Sequence, residues 1–330
     1  MSPFQSLLAM GGGVLLLLAG AEALVRGASA LALRVGITPL VVGLTVVAIG
    51  TSSPELVVSV KAALAGQGGV AIGSVVGSNV ANLALIIGVS AAISPMAVDR
   101  NLVRHDMPVM LGSMVLLILF LIDGELGRIE GGILFAAAIA YTFESIRSSR
   151  KQTKQERKAE AEAEAKAIAQ GEIPVAKAET VVHASIWRNL LFVIGGIALL
   201  VYGADLLLSG AVELATQLGV SEAIIGLTLV ALGTSLPELA TTVVAAFRGH
   251  GEIALGNALG SNIFNVFGVL GPTALTVPLF GGDIGPDVLA IMVGVAILTL
   301  VFLISGGKTR RWEGGVLLAT YVAYLWWIVQ

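Results

Sequence analysis

The chain has 330 residues, 56% of them hydrophobic and 12% charged, with a mean hydropathy of +0.93. That composition excludes an ordinary water-soluble domain and points to repeated membrane spans. The absence of cysteine removes disulfides, thiolate metal sites and cysteine nucleophiles, and a net charge of −3 argues for neither nucleic acid nor any other charged partner.

A helix needs about twenty apolar residues to cross the hydrocarbon. On that template ten spans are expected, near 5–25, 38–60, 70–94, 107–122, 131–146, 188–210, 222–247, 253–279, 286–305 and 312–329. No Lys or Arg precedes Arg26, so the first span is expected to be a retained helix rather than a cleaved signal. Of the 19 Lys and Arg, all except Lys61 and Arg128 fall in connectors on one side if the N-terminus is outside. The positive-inside rule then places both termini outside and the connector between the halves in the cytoplasm of a cell-membrane protein. Trp312, Trp326 and Trp327 near the ends of the last span suit the interfacial aromatic belts. The three histidines, His105, His183 and His250, sit beside charged or Gly-rich connectors and read as solvated.

The expected fold is all-α and polytopic: ten transmembrane helices as two five-helix repeats, 1–147 and 188–330, joined by a cytoplasmic linker, 148–187. The linker includes Lys154 to Lys166, rich in helix formers but without an apolar stripe, and reads as a solvated helix ending near Gly171.

The two halves share a motif. Gly43-Leu-Thr-Val-Val-Ala-Ile-Gly-Thr-Ser-Ser-Pro-Glu-Leu56 recurs as Gly226-Leu-Thr-Leu-Val-Ala-Leu-Gly-Thr-Ser-Leu-Pro-Glu-Leu239, offset by 183 positions, and the same offset carries Gly77-Ser-Asn-Val-Ala-Asn82 onto Gly260-Ser-Asn-Ile-Phe-Asn265. Five spans before the linker and five after it make the second copy enter the membrane from the opposite side. The repeats are therefore expected to be inverted, the arrangement of alternating-access transporters.

Pro54 and Pro237 lack the amide hydrogen that a helix interior needs, and they free the carbonyls of Gly50 and Gly233. A break in each helix is expected there, because irregular backbone at membrane depth survives only where it is buried in protein or lines a watery cavity. A plain proline kink would account for one copy. Two copies, each with a glutamate directly after the proline, point instead to a site, since an isolated carboxylate in hydrocarbon costs several kcal/mol. Glu55 and Glu238 should then find cations or each other.

In the second motif, Gly73 with Gly77 and Gly256 with Gly260 allow close helix approach, which packing alone would explain. Ser78 with Asn82, and Ser261 with Asn265, share a helical face, whereas Asn79 and Asn262 lie off it and read as structural. Around a midplane these groups make an all-oxygen site of two carboxylates, two amides, and the hydroxyls of Thr51, Ser52, Ser78, Thr234, Ser235 and Ser261. Calcium, which takes about six to eight oxygen ligands, fits best, and zinc and copper are disfavoured. Sodium could use the same oxygens in smaller subsites, and mutual exclusion at a shared site is the root of exchange.

Gly50-Thr-Ser-Ser-Pro-Glu55 and Gly233-Thr-Ser-Leu-Pro-Glu238, with their Gly-Ser-Asn segments, resemble the two alpha repeats of the sodium/calcium exchanger family, here 43–90 and 226–273. The resemblance implies a sodium/calcium antiporter with Glu55 and Glu238 as central calcium ligands, aided by main-chain oxygens of Thr51 and Thr234. It also implies sodium subsites using the Ala48 and Ala231 carbonyls with Ser52, Ser78, Ser235 and Ser261, and Asn82 as a central neighbour. It implies Ca2+ and Na+ as substrates, and no cofactor, obligate protein partner or enzymatic activity. Asn265 stands where potassium-dependent relatives carry aspartate, so potassium is expected to be neither needed nor carried. Gly-Thr-Ser in place of the proton-coupled branch's Gly-Asn pattern favours sodium as the coupling ion. The rival readings are calcium/proton antiport, a cation channel from another class, and an intramembrane hydrolase with Glu55 and Glu238 as paired acids, which the lack of a His-Glu-x-x-His motif disfavours.

Overall fold

The computed structural model describes residues 2–169, 185–219, 231–281 and 284–329. Among these the chain is helical apart from two-residue strands at Glu125–Leu126 (β1) and Leu279–Phe280 (β2), which pair antiparallel. Helix α1 spans Pro3–Val35, opened by a Ser2/Gln5 capping box and closed by Gly36, whose φ of 72° is the left-handed conformation that glycine adopts freely. The next helix is broken into α2, Pro39–Thr51, and α3, Ser53–Leu64, which meet at 44°. Helices α4, Gly68–Ile93, α5, Leu102–Phe120, and α6, Arg128–Ala169, complete the first half. The second half holds α7, Ile186–Gln217, the short turn α8, Ala231–Gly233, and α9, Leu236–Phe247. It ends with α10, Gly251–Thr276, α11, Pro286–Ile304, and α12, Arg311–Val329.

Seven of the described helices are long and apolar enough to cross a membrane, or eight with the bent pair α2–α3 taken as one span. Their outward faces carry Phe4, Leu15, Leu119, Phe143, Leu191 and Ile297, all exposed, as lipid-facing surfaces require. The protein is a multi-pass membrane protein. The expectation of ten spans exceeds this number for two local reasons. Residues 222–230 of the seventh expected span lie outside the described residues, leaving the twelve-residue α9. Helix α12 occupies the tenth but is less apolar, with Arg311 and Glu313 in its first turn and three tryptophans. The expected linker helix has no start of its own, because α6 runs unbroken from Arg128 to Ala169; its expected end at Gly171 lies outside the described residues.

Helices α4 and α10 form the centre. The most apolar stretches of α10 and α4 are 94% and 72% buried, against 33% for α1 and 28% for α7. The outer pair α1 and α7 pack antiparallel along glycines: a Cβ on Gly13 would lie 2.7 Å from Gly203 O, and one on Gly20 would lie 2.8 Å from Gly196 O.

These close approaches come in exchanged pairs. The same offset of 183 that relates the motifs turns the Gly13–Gly203 contact into Gly196–Gly20. It turns Gly131–Gly271 into Gly314–Gly88, and the β1–β2 pair Glu125↔Phe280 into the isolated bridge Lys308↔Ala97. Each of these contacts between the halves is thus made twice, with the roles of the halves reversed.

Candidate functional site

Both helix breaks face the centre. Pro54 falls in the first turn of α3, where a missing amide hydrogen costs nothing, and Ser52 leaves the helical conformation at φ −84°, ψ 8°. Ser235 does the same before Pro237, at φ −85°, ψ 3°. The carbonyl freed at Gly50 accepts from the Ser53 hydroxyl at 2.8 Å. The break places Glu55 in the first turn of α3 and Glu238 in the first turn of α9. There the partial positive charge of each helix start favours a carboxylate.

Glu55 is 1% exposed and Glu238 0%, so both acids lie inside protein rather than lipid. They are close enough to feel each other's charge. Ser52 Oγ donates to Glu238 Oε1 at 2.8 Å, and Ser235 Oγ donates to Ser78 Oγ at 3.3 Å. The proposed hydroxyl and carboxyl ligands from the two halves are therefore one cluster. The Ala48 carbonyl is already bonded within its own helix, accepting from the Ser52 amide at 2.9 Å. Ala231 opens the short turn α8.

The two amides are oriented by the residues that the sequence reading treated as structural. Asn82 Nδ2 donates to Asn262 Oδ1 at 3.1 Å, and Asn265 Nδ2 donates to Asn79 Oδ1 at 3.1 Å. These two bonds also exchange under the repeat offset. With their donors tied to the opposite half, Asn82 and Asn265 each keep a buried Oδ1 without a protein partner. Asn82 lies in a π-helical segment, Ala81–Ile86, and Asn265 begins the equivalent one, Asn265–Leu270. Such widened turns cluster at functional sites.

Six site oxygens are buried with no hydrogen-bond partner: Glu55 Oε2, Glu238 Oε2, Asn82 Oδ1, Asn265 Oδ1, Ser261 Oγ and Thr234 Oγ1. All are hard oxygen donors of the kind that Ca2+ and Na+ take. Among the described residues no group of three or more His, Cys, Asp or Glu could hold a metal. The chemistry here is two carboxylates diluted by neutral oxygens.

Sequence reasoning missed Asn257, which is fully buried and bonded to Thr51, Thr242 and the Glu238 carbonyl. It stands four residues before Ser261, on the face that carries Ser261 and Asn265, so extending that spacing by one turn would have found it.

The family model described as "Sodium/calcium exchanger protein" matches residues 5–147 and 188–330. The chain is 34% identical to sodium/calcium exchanger MaX1 of Methanosarcina acetivorans, covering 95% of each. It is 34% identical to the putative antiporter CaxA of Alkalimonas amylolytica, covering 94% of this chain and 95% of that one. Among solved structures it resembles the sodium-calcium exchanger NCX_Mj soaked with 10 mM Na+ and zero Ca2+, with a TM-score of 0.81 and 31% identity over 98% of both chains. On the agreement of family model, relatives and fold, the chain belongs to the sodium/calcium exchanger family of membrane ion transporters.

Proposed function

We propose that the protein exports Ca2+ from the cell in exchange for Na+, by alternating access around Glu55 and Glu238, without a requirement for K+. The six unpartnered buried oxygens carry this reading. Each orphaned buried acceptor costs about 1–3 kcal/mol unless something fills it, and here they come from both halves and include both carboxylates. One Ca2+ balances two carboxylates. In this reading Glu55 and Glu238 hold Ca2+ with main-chain oxygens of Thr51 and Thr234. Sodium ions use Ser52, Ser78, Ser235 and Ser261 with the Ala48 and Ala231 carbonyls, and Asn82 and Asn265 are neutral neighbours.

The exchanged contacts between the halves support ten helices arranged as two inverted five-helix repeats, 1–147 and 188–330, around cytoplasmic residues 148–187. The distribution of Lys and Arg supports a cell-membrane location with both termini outside. Asn265, in place of a third carboxylate, keeps the charge of the site low and supports potassium independence.

The test is uptake of radiolabelled calcium into vesicles under an imposed sodium gradient or an imposed pH gradient, with K+ present or replaced by choline. Uptake driven by sodium and indifferent to K+ is expected. Equal uptake under the pH gradient would move the reading to calcium/proton antiport, and uptake independent of any counterion gradient would move it to a channel.

A further inference from the structure

Asn257 has no exposed surface and makes three side-chain hydrogen bonds. Its Oδ1 accepts from Thr51 Oγ1 at 3.1 Å, while its Nδ2 donates to Thr242 Oγ1 at 2.9 Å and to the main-chain oxygen of Glu238 at 3.4 Å. The Glu238 carbonyl can only accept, so it fixes which end of the amide faces it and leaves Oδ1 for Thr51. One side chain thereby ties the end of α2, in the first half, to the first turn of α9, in the second.

Backbone contact sets this register. A Cβ on Gly43 would lie 2.7 Å from Ile253 O and 3.1 Å from Asn257 N, and one on Gly256 would lie 2.6 Å from Leu40 O. With no side chains in between, α10 lies directly on α2 and Asn257 reaches across to Thr51.

The other half of the site lacks this clamp. At the repeat offset the counterpart of Asn257 is Ser74, whose short hydroxyl cannot span two helix ends. The counterpart of Thr51 is Thr234, and its Oγ1 is buried without a partner. The counterpart of the Ser52–Glu238 bond would join Ser235 to Glu55, but Ser235 donates to Ser78 instead. The helix start that carries Glu238 is therefore tied to the first half through Asn257, whereas the cross-half bond on the Glu55 side, Ser235 to Ser78, runs between two hydroxyls and does not hold the helix start that carries Glu55.

We propose that Asn257 is a positioning residue that holds Thr51 and Glu238 in register, so that their oxygens converge on the cation before it arrives. Ser74 does not do this for Thr234 and Glu55. The proposal rests on the reading of Glu55 and Glu238 as the ion site. It predicts an effect on affinity, because a preorganised site loses less on binding.

The experiment uses the full-length protein, measuring sodium-driven uptake of radiolabelled calcium in proteoliposomes and the Ca2+-dependent rise in melting temperature in detergent. Asn257→Leu, close in shape but without hydrogen bonds, and Thr51→Val, which keeps the main-chain oxygen, are each expected to raise KM for Ca2+ about tenfold. The maximal rate should stay within about threefold of wild type, as loss of binding alone requires. The double variant should be no worse than Asn257→Leu alone, since that change already removes the bond to Thr51. Thr51→Ser, which restores the hydroxyl, should recover the wild-type KM. Wild-type KM in either single variant, or effects that multiply in the double, would overturn the proposal. If Asn257→Leu does not fold, the contrast of Thr51→Val with Thr51→Ser decides alone, and equal KM values overturn it. Glu238→Gln serves as the reference. If that variant keeps the Ca2+-dependent melting shift, it is the site reading that fails; if it loses the shift while the Asn257 and Thr51 variants match wild type, only the positioning role fails.

Discussion

Ser52 and Glu238, 186 residues apart in sequence, meet at 2.8 Å, with the serine hydroxyl donating to Oε1 of the carboxylate. A hydroxyl is both donor and acceptor. Ser52 gives its hydrogen to the buried acid; in the proposed exchange the same group would rotate and offer its oxygen to a bound cation. The contact thus joins the two halves at one of the two buried carboxylates.

Charge bookkeeping predicts voltage dependence. Two carboxylates balanced by one Ca2+ carry one excess positive charge with about three Na+, and moving one charge through 100 mV is worth roughly 2.3 kcal/mol. Clamping the membrane potential to zero at a fixed sodium gradient should slow calcium extrusion several-fold, measured by radiolabelled flux with and without an ionophore for K+. An unchanged rate would rule out this stoichiometry.

The glycine seam between α1 and α7 predicts a separation of binding from transport. A Cβ on Gly20 would lie 2.8 Å from both Gly196 O and Leu200 N, so even alanine must push the helices apart. These helices lie outside the central cluster. Gly20→Val should therefore cut sodium-driven flux at least about tenfold while the Ca2+-dependent melting shift persists, because packed cores resist added volume at a cost of about 1–3 kcal/mol. Loss of the shift together with flux would place α1 in the binding site itself.

The amide pairs predict a change in stability together with one in affinity. Asn262→Leu leaves Asn82 Nδ2 without its acceptor, at a cost of about 1–3 kcal/mol, and frees the Asn82 amide to turn its nitrogen toward the cation. A lower melting temperature and a weaker Ca2+-dependent shift are both expected in detergent. Asn79→Leu should act alike through Asn265, since the two bonds exchange under the repeat offset. Wild-type values in both variants would mean that the amide orientation is set elsewhere.

Much of the centre was legible because the chain states it twice. Pro54 and Pro237 foretold the breaks, since a missing amide hydrogen must fall at a helix start, and the glutamates after them foretold two buried acids that need each other or a cation. The fate of the Gly50 carbonyl was not legible, because the choice of Ser53 over the cavity depends on a rotamer. The π-helical turns at Ala81–Ile86 and Asn265–Leu270 carry no composition signal. Asn79 and Asn262 were read as structural; that they orient Asn82 and Asn265 follows only from the facing of α4 and α10. Asn257 lay within reach of the same periodicity that found Ser261 and Asn265.

Sodium-gradient-driven uptake of radiolabelled calcium into proteoliposomes, compared among wild type, Glu55→Gln and Glu238→Gln, bears most directly on the ion site. Removing either negative charge leaves one carboxylate to balance a divalent ion in a buried site, so each variant should lose calcium uptake altogether while folding at least as well as wild type without ions. Uptake at the wild-type rate in either variant would contradict the account.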